Sequence, residues 1–380
     1  MEGFEFPMPV FPAGHSELRL EVRAFLAQEL RSFRARDRAQ SWNGFDADFT
    51  RKVASRGWIG MTWPKQYGGH ERSALERYIV MEEMLAAGAP VAAHWIADRQ
   101  SGPLLLKFGT ELQKREILPR IATGRCYFCI GMSEAGSGSD LAATRTRALP
   151  VDGGYLVNGT KLWTTYAHTA HYMILFCRTS EGQRQEGTSQ LLVDLKSSGI
   201  SIRPILDMSG AHHFNEVSFI DVFIPASGLI GVEGQGWSQV MGELAFERSG
   251  PERFLSTLPL MSELVRKLHD TESDQALIGV GRLVASLGVL RRLSQSVAGM
   301  LELGQSPALQ ACIVKDLGAL FEQEIPEVAR HLVEAEPSLT GECEYSASLA
   351  TSIMAAPSFS LRGGTREILR GIIARGLGLR

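Results

Sequence analysis

The hydrophobic period of this chain changes twice along its length, and that change limits the possible fold more than any other feature. Up to about residue 125 the apolar residues recur at helical spacing: Leu18, Val22, Phe25, Leu26, Leu30 and Phe33 follow one another at three- and four-residue steps. A second helix carrying Phe49 and Val53 is expected to stop near Gly57. The run GWIGMTWPKQYGGH breaks helicity at Pro64, Gly68 and Gly69, and SALERYIVMEEMLAAG then opens on a capping serine. Further helices are expected over 95–107 and 111–121. Between Cys126 and Gln235 the pattern becomes short runs rich in Val, Ile and Phe, among them MILFCR, SQLLVDL, ISIRPI and EVSFIDVFI, divided by turn residues. Asn158-Gly159 in YLVNGTKLW reads as the turn of a hairpin, because both residues tolerate positive φ. From Trp237 the helical period returns and holds to the end. The expected fold is mainly α with a central antiparallel β domain, divided into a helical part at 1–125, a β part at 126–235 and a helical part at 236–380.

Length and charge narrow the function classes. A chain of 380 residues suggests two or three domains, and 44% hydrophobic with 21% charged residues is the composition of a folded globular protein. The net charge of −3 carries no basic surplus for phosphates or anionic lipid, so neither nucleic acid nor a membrane is expected as a partner. No run approaches the roughly 20 apolar residues of a spanning helix, and MEGFEFPMPVF lacks a basic segment followed by an apolar one; a cytoplasmic protein is expected. Five cysteines fit reduced thiols. Cys126 and Cys129 form a C-x-x-C inside the apolar run CYFCIGM, without the partner ligands a zinc or redox site needs, and are expected to be buried thiols.

Four segments carry residues suited to chemistry. SEAGSGSD, from Ser133 to Asp140, either makes an ordinary turn or exposes consecutive N–H groups that let an anion approach closely. In KLWTTYA, Trp163 and Thr165 share a strand face by their spacing; they either pack or flank a heterocycle. GELAFERSGPERF sets Glu247 and Arg248 at the end of an apolar helix, as a solvated pair or as a carboxylate whose pKa burial raises into the range of a base. At the C-terminus, Gly363-Gly364 precede Thr365, a suitable N-cap, and Glu367, which suits the positive end of a helix dipole; that helix start either faces a ligand or simply begins the last helix. The chain has no G-x-S-x-G elbow, P-loop, H-E-x-x-H or strand-borne G-x-G-x-x-G. His212-His213 would face opposite ways on a strand and cannot share a metal, so no metal site is expected.

Taken in order, the segments resemble the acyl-CoA dehydrogenase family: GWIGMTWPKQYGG, KFGTELQKREILPRIATGR, MSEAGSGSDLAATRTRA, GGYLVNGTKLWTTYAHTAHYMILFCRT, FNEVSFIDVFIP, GWSQVMGELAFERSG and GGTREILRGIIAR span nearly the whole chain. The resemblance implies a helical N-terminal domain, a β-barrel-like middle domain, a C-terminal four-helix bundle, FAD, an acyl-CoA substrate and reoxidation by an electron-transferring flavoprotein. It implies a homodimer or homotetramer, or a heterotetramer with a sister subunit. By similarity Ile130, Met132, Ser133, Gly138 and Ser139 line the flavin and its pyrophosphate, Trp163 and Thr165 flank the isoalloxazine, and Gly364, Thr365 and Glu367 approach the flavin or its adenosine part. Ser139 also falls where coenzyme A is touched.

The family's reaction needs a base for the weakly acidic α-hydrogen, hydrogen bonds for the developing enolate oxygen, and flavin N5 to take the β-hydrogen as hydride, giving a trans-2-enoyl-CoA. Many members carry the base immediately before the last Gly-Thr, and here that position is Gly363. Members lacking it there place a glutamate on the first helix of the C-terminal domain before an arginine, which matches Glu247-Arg248. Glu247 is therefore the expected base and Arg248 an expected substrate contact, while the N–H of Gly363 remains able to donate to the thioester oxygen. The stretches many members use to hold the adenine of a neighbouring subunit are not recognisable between Asp274 and Pro357. That difference keeps open a subunit that supplies only half of each flavin site, as in heteromeric steroid side-chain enzymes; a flavin monooxygenase on the same fold is a third reading. The acyl group, whether short, branched, aromatic or steroid-derived, is open at this stage.

Overall fold

The computed structural model describes residues 4–248 and 250–379, without the side chains of 243–247. In chain order the helices are α1 (His15–Glu29), α2 (Ala35–Ala39), α3 (Ala47–Ser55), α4 (Ala74–Ala86), α5 (Ala92–Ile96), α6 (Gly102–Phe108), α7 (Glu111–Ala122), α8 (Gly236–Glu247), α9 (Leu258–Lys267), α10 (Asp274–Glu302), α11 (Ala308–Leu332), α12 (Glu344–Phe359) and α13 (Arg366–Gly376). All seven strands lie between α7 and α8: β1 (Phe128–Gly131), β2 (Arg147–Val151), β3 (Gly154–Thr165), β4 (Tyr172–Arg178), β5 (Thr188–Asp194), β6 (Ile200–Ile205) and β7 (Phe214–Pro225). The order of helices, strands and helices matches the change of period in the sequence. The chain forms two compact units, Met1–Phe49 with Arg72–Ala92 and Leu244–Arg380, and Thr50–Glu71 with Ala93–Glu243. Among the described residues no helix is long and apolar enough to cross a membrane.

The first unit is helical. Ser73 starts α4 as expected: its Oγ accepts from Glu76 N at 3.1 Å while the Glu76 carboxylate accepts from Ser73 N at 2.9 Å, so two otherwise unpaired amides are satisfied reciprocally. Leu18, Val22, Phe25 and Leu26 of α1 are buried. Glu82 and Glu83 on α4 are also buried, and the fold tolerates them because arginines reach them from both sides. Arg19 and Arg23 of α1 hold Glu83, and Arg291 of α10 meets both oxygens of Glu82 at 2.7 and 3.0 Å.

The second unit is built on a seven-stranded sheet in the order β1-β4-β2-β3-β7-β6, with β5 paired to β4. The sheet is mixed: β1 and β2 run parallel to β4, while β2–β3, β3–β7, β6–β7 and β4–β5 are antiparallel. Strands linked by short turns pair antiparallel; β1 and β4 are separated by a long excursion through β2 and β3, which lets them run the same way. Its core holds Val157, Met173, Leu175, Leu191, Val193, Val217 and Phe219, all at most 2% exposed. Cys126 and Cys129 are fully buried as read from the sequence, and burial pushes the Cys126 thiol up to about 11.

The hairpin expected at Asn158-Gly159 is not there. Both residues lie inside β3, and the β2–β3 connection is made at Asp152-Gly153, where Gly153 has φ 77°. Asn158 instead fills a register shift against β7, donating from Nδ2 to Asp221 Oδ1 at 2.9 Å and accepting from Asp221 N at 3.0 Å. Gly159 is needed for close approach, since a side chain there would begin 2.6 Å from Thr146 Oγ1. The expected 95–107 helix is also interrupted, by a π turn at Ala97–Ser101 whose Asp98 accepts from Gly60 N at 2.7 Å.

Candidate active site

In the second unit, β1 and the end of β3 bring several candidate residues together. The Gly/Ser loop follows β1 directly, and it is tied to β3 by Leu162 N donating to Ser133 O at 2.8 Å. Beside that bond the ammonium of Lys161, fully buried, donates to Met132 O at 2.9 Å, Thr144 Oγ1 at 3.0 Å and Glu134 Oε1 at 2.8 Å. Glu134 accepts as well from the hydroxyls of Thr144 and Thr146 and from the amides of Arg145 and Thr146. Burial works against the Glu134 charge, but the Lys161 ammonium and these donors outweigh it and hold the carboxyl at about 2. The first turn of the loop is thus fixed at its base, while Gly138 and Ser139 at its tip are exposed. Among the described residues, chain neighbours apart, nothing lies within 4 Å of where a side chain on Gly136 or Gly138 would begin. Ile130 sits on β1 opposite Ile174.

The shared face expected for Trp163 and Thr165 does not follow from their spacing. A register shift between Lys161 and Thr164 and a φ of 59° at Trp163 interrupt the alternation. Trp163 is 58% exposed, its ring edge-on to Phe214 with centroids 6.0 Å apart. Thr165 is half-buried and pairs with Phe214 across the ladder. Nor do the adjacent histidines lie on a strand: His212 and His213 precede β7. His212 stacks on His168 at 3.9 Å, and His213 Nδ1 lies 3.1 Å from Asp207 Oδ2.

The first unit holds the remaining candidates. Thr365 caps α13, with Glu367 in the first turn, and Gly363 and Gly364 precede it with φ of 69° and 96°. Glu247 ends α8; its side chain lies outside the described residues. Arg248 follows, 6% exposed, donating from Nε to Gly363 O at 3.2 Å and from Nη1 to Cys312 Sγ at 3.5 Å. The end of α8 is therefore joined to the turn before α13.

Two groups escaped the sequence reading. Lys161 keeps the odd-numbered burial phase of Tyr155 and Val157 on β3, a signal that its ammonium points inward; its partner lies 27 residues away and cannot be read from the strand. Arg362 and Glu322, paired at 2.6 Å under Trp42 and Phe359, gave no sequence signal.

Residues 12–125 match the model of the acyl-CoA dehydrogenase N-terminal domain and residues 129–222 that of the middle domain. The chain belongs to the acyl-CoA dehydrogenase family. Among curated relatives, it is 33% identical to acyl-CoA dehydrogenase IpdE1 of Mycobacterium tuberculosis, over 96% of this chain and 97% of that one. Acyl-CoA dehydrogenase FadE26 of the same organism is 31% identical over 94% of each. Of solved structures, the Tcur3481-Tcur3483 steroid ACAD superposes with a TM-score of 0.89 at 28% identity, covering 99% of this chain and all of that one. The ChsE4-ChsE5 complex from Mycobacterium tuberculosis gives 0.86 at 29%, covering 98% and 99%. The FAD complex of PigA shares the fold, with a TM-score of 0.83 at 20% identity over 98% of this chain and 99% of that one.

Proposed function

We propose that this acyl-CoA dehydrogenase oxidises the α and β carbons of a coenzyme A thioester to the trans-2-enoyl-CoA, with FAD as cofactor, Glu247 as base and an electron-transferring flavoprotein as acceptor. The observation that carries the reading is the bond from Arg248 Nε to Gly363 O, which brings the backbone that bears Glu247 beside the glycine standing where many family members carry their base. Residue 363 has no side chain to take a proton, so the reaction needs a carboxylate from elsewhere, and the end of α8 offers one.

The residues present suit a flavin. An exposed indole at Trp163 stands on the strand that Ser133 O anchors, and the adjoining Gly/Ser loop is open around Gly136 and Gly138. In this reading Ile130, Met132 and Ser133 meet the ring system, Gly138 and Ser139 offer backbone amides to the pyrophosphate, and Trp163 and Thr165 flank the ring. Gly364, Thr365 and Glu367 approach the adenosine side. Bound flavin supplies the acceptor for the β-hydride. The chain supplies the rest: Glu247 takes the α-proton, and the N–H of Gly363 donates to the thioester oxygen as charge develops on it. Purified protein should be yellow and should bleach anaerobically with an acyl-CoA thioester. A flavin-loaded protein that stays yellow across a broad thioester panel would refute the activity.

A second reading, a subunit that completes its flavin site with a sister chain, is favoured by α10. Leu277, Ile278, Val284 and Val289 on this helix are exposed, and a side chain on Gly281 or Gly288 would begin more than 4 Å from any other element among the described residues. That apolar face suits burial against another subunit. Two of the matched structures are named as two-chain assemblies. Protein that is colourless alone and turns yellow with a co-expressed sister chain would establish this reading.

A further inference from the structure

Gly363 and Gly364 follow one another with φ of 69° and 96°, so the turn before α13 is built from two residues that have no side chain to hold it. In the dehydrogenase reading the N–H of Gly363 meets the thioester oxygen, and among the described residues that N–H has no acceptor. Its direction is set by the plane of the 362–363 peptide. Whatever fixes that plane aims the donor.

The fixing comes from α11. Lys315 Nζ donates to Phe359 O at 2.6 Å before the turn, and Asp316 accepts from Arg366 Nε at 2.7 Å after it. Between these two anchors Glu322, fully buried, meets Nη2 of Arg362 at 2.6 Å. The same Nη2 faces Ser256 Oγ at 2.7 Å and Glu252 O at 3.1 Å, and the guanidinium stands 4.7 Å from the ring centres of both Trp42 and Phe359. Glu322 is held in its turn, with Oε1 accepting from Ser256 N at 2.9 Å. One residue beyond Arg362, Gly363 O accepts from Arg248 Nε at 3.2 Å, and Arg253 fills the space where a side chain on Gly363 would begin, its Cζ 3.0 Å away. Apolar side chains would join these helices as firmly, but an ion pair this short also fixes direction.

We propose that Arg362 is a positioning residue: through its ion pair with Glu322 it turns the N–H of Gly363 toward the thioester oxygen, without touching the substrate itself. The inference rests on the dehydrogenase reading for that oxygen and adds to it the group that aims the donor. The test is the infrared band of acetyl-CoA, isotope-labelled at the thioester carbonyl and saturating with the flavin-loaded chain; acetyl-CoA has no β-carbon and stays unreacted. A donated hydrogen bond weakens the C=O bond, so the wild-type protein should lower the frequency below that of free acetyl-CoA. Arg362→Met combined with Glu322→Gln removes both charges and strands neither. In that protein most of the lowering should be lost, while melting temperature and flavin retention stay near the parent's. Flavin bleaching by acyl-CoA thioesters should slow about tenfold, less than the roughly 10²–10³ that follows outright removal of such a donor. Arg362→Lys, which keeps a cation against Glu322, should retain part of the lowering.

A carbonyl that absorbs at one frequency with and without the wild-type protein overturns the proposal, as does a lowered band that persists unchanged in the folded double variant. Should that variant not fold, Glu322→Gln alone decides by the same two outcomes, since the amide keeps an acceptor for Arg362 but not the charge. The dehydrogenase reading fails separately. A lowered band that the variant loses, without bleaching by any thioester, would reject the reaction and leave the aimed N–H standing; fast bleaching in both proteins with an unmoved band would keep the reaction and remove Arg362 from it.

Discussion

Lys161 and Glu134 form an ion pair 2.8 Å long, with the lysine side chain fully buried and the glutamate side chain 9% exposed, under the loop proposed to receive the flavin pyrophosphate. Replacing Lys161 by Met would leave a buried carboxylate with hydroxyl and amide donors but no counter-charge. Removing one partner of such a pair costs about 3–5 kcal/mol, more than an uncharged loop contact contributes. Urea unfolding should show a loss of that size together with weaker FAD retention. Adding Glu134→Gln should recover part of the stability. A Lys161→Met protein as stable as the parent would mean the pair is not the brace it resembles.

The same pair sets an acid limit. Glu134 has its pKa lowered to about 2 in the fold against about 4.3 in an unfolded chain, so its contribution is complete above the unfolded value and is lost as pH falls toward 2. The melting temperature of Glu134→Gln should therefore fall less than that of the parent between neutral pH and about pH 3. Parallel curves for the two proteins would remove Glu134 from the acid response.

Much of this arrangement was legible in the sequence, and the failures have physical causes. The helix start at Ser73 was readable because capping needs only residues three apart in the chain. The Asn158-Gly159 turn misled because local propensity for positive φ cannot register Asp221 and Thr146, which turn the same dipeptide into a bulge within a strand. The face shared by Trp163 and Thr165 was lost to a second bulge of the same kind. Arg253 lies 110 residues before Gly363 in the chain; only the fold brings it over that glycine.

Glu247→Gln should bind thioester and flavin yet lower kcat by about 10²–10⁴ or more, the usual range for losing a general base. Stopped-flow measurement of flavin bleaching separates the two effects. Fast bleaching in this variant would require another base.

Gly363→Ala should destabilise the protein by about 1–2 kcal/mol, because φ of 69° disfavours any Cβ. The guanidinium of Arg253 is the flexible end of its side chain and can retreat, so backbone strain sets the size of the effect. Gly363→Glu placed in a Glu247→Gln background should not restore activity, since the new carboxylate would pair with Arg253 at the turn. Thermal melting checks the first statement and flavin bleaching the second; a restored rate would show that the turn accepts a base at 363.

The stacked histidines give the last expectation its sign. Asn215 donates from Nδ2 to Thr164 O at 3.0 Å, so its Oδ1 is left to accept from His168 Nδ1 at 3.1 Å and His212 Nε2 at 2.8 Å. Both rings are thereby held as donors toward one oxygen, nearly parallel and 3.9 Å apart. Burial, then the neighbouring His212, lowers the His168 pKa; His213 adds to this, and Asp207, which could offset it, pairs with His213. Tyr166, its ring tilted against His168 and edge-on to His213, stays neutral because burial raises its pKa. An unfolded chain takes up a proton at His168 near pH 6.5, and the fold resists it. Stability should therefore be full above that pH and decline as pH falls below it, opposite to the behaviour of a histidine that gains a carboxylate partner. His168→Gln keeps a donor for Asn215 and removes the titration, so its melting temperature should drop less than the parent's between pH 7.5 and about 5.5. An identical pH slope in the two proteins would show that proton uptake at the stack does not strain the strand that carries Thr164.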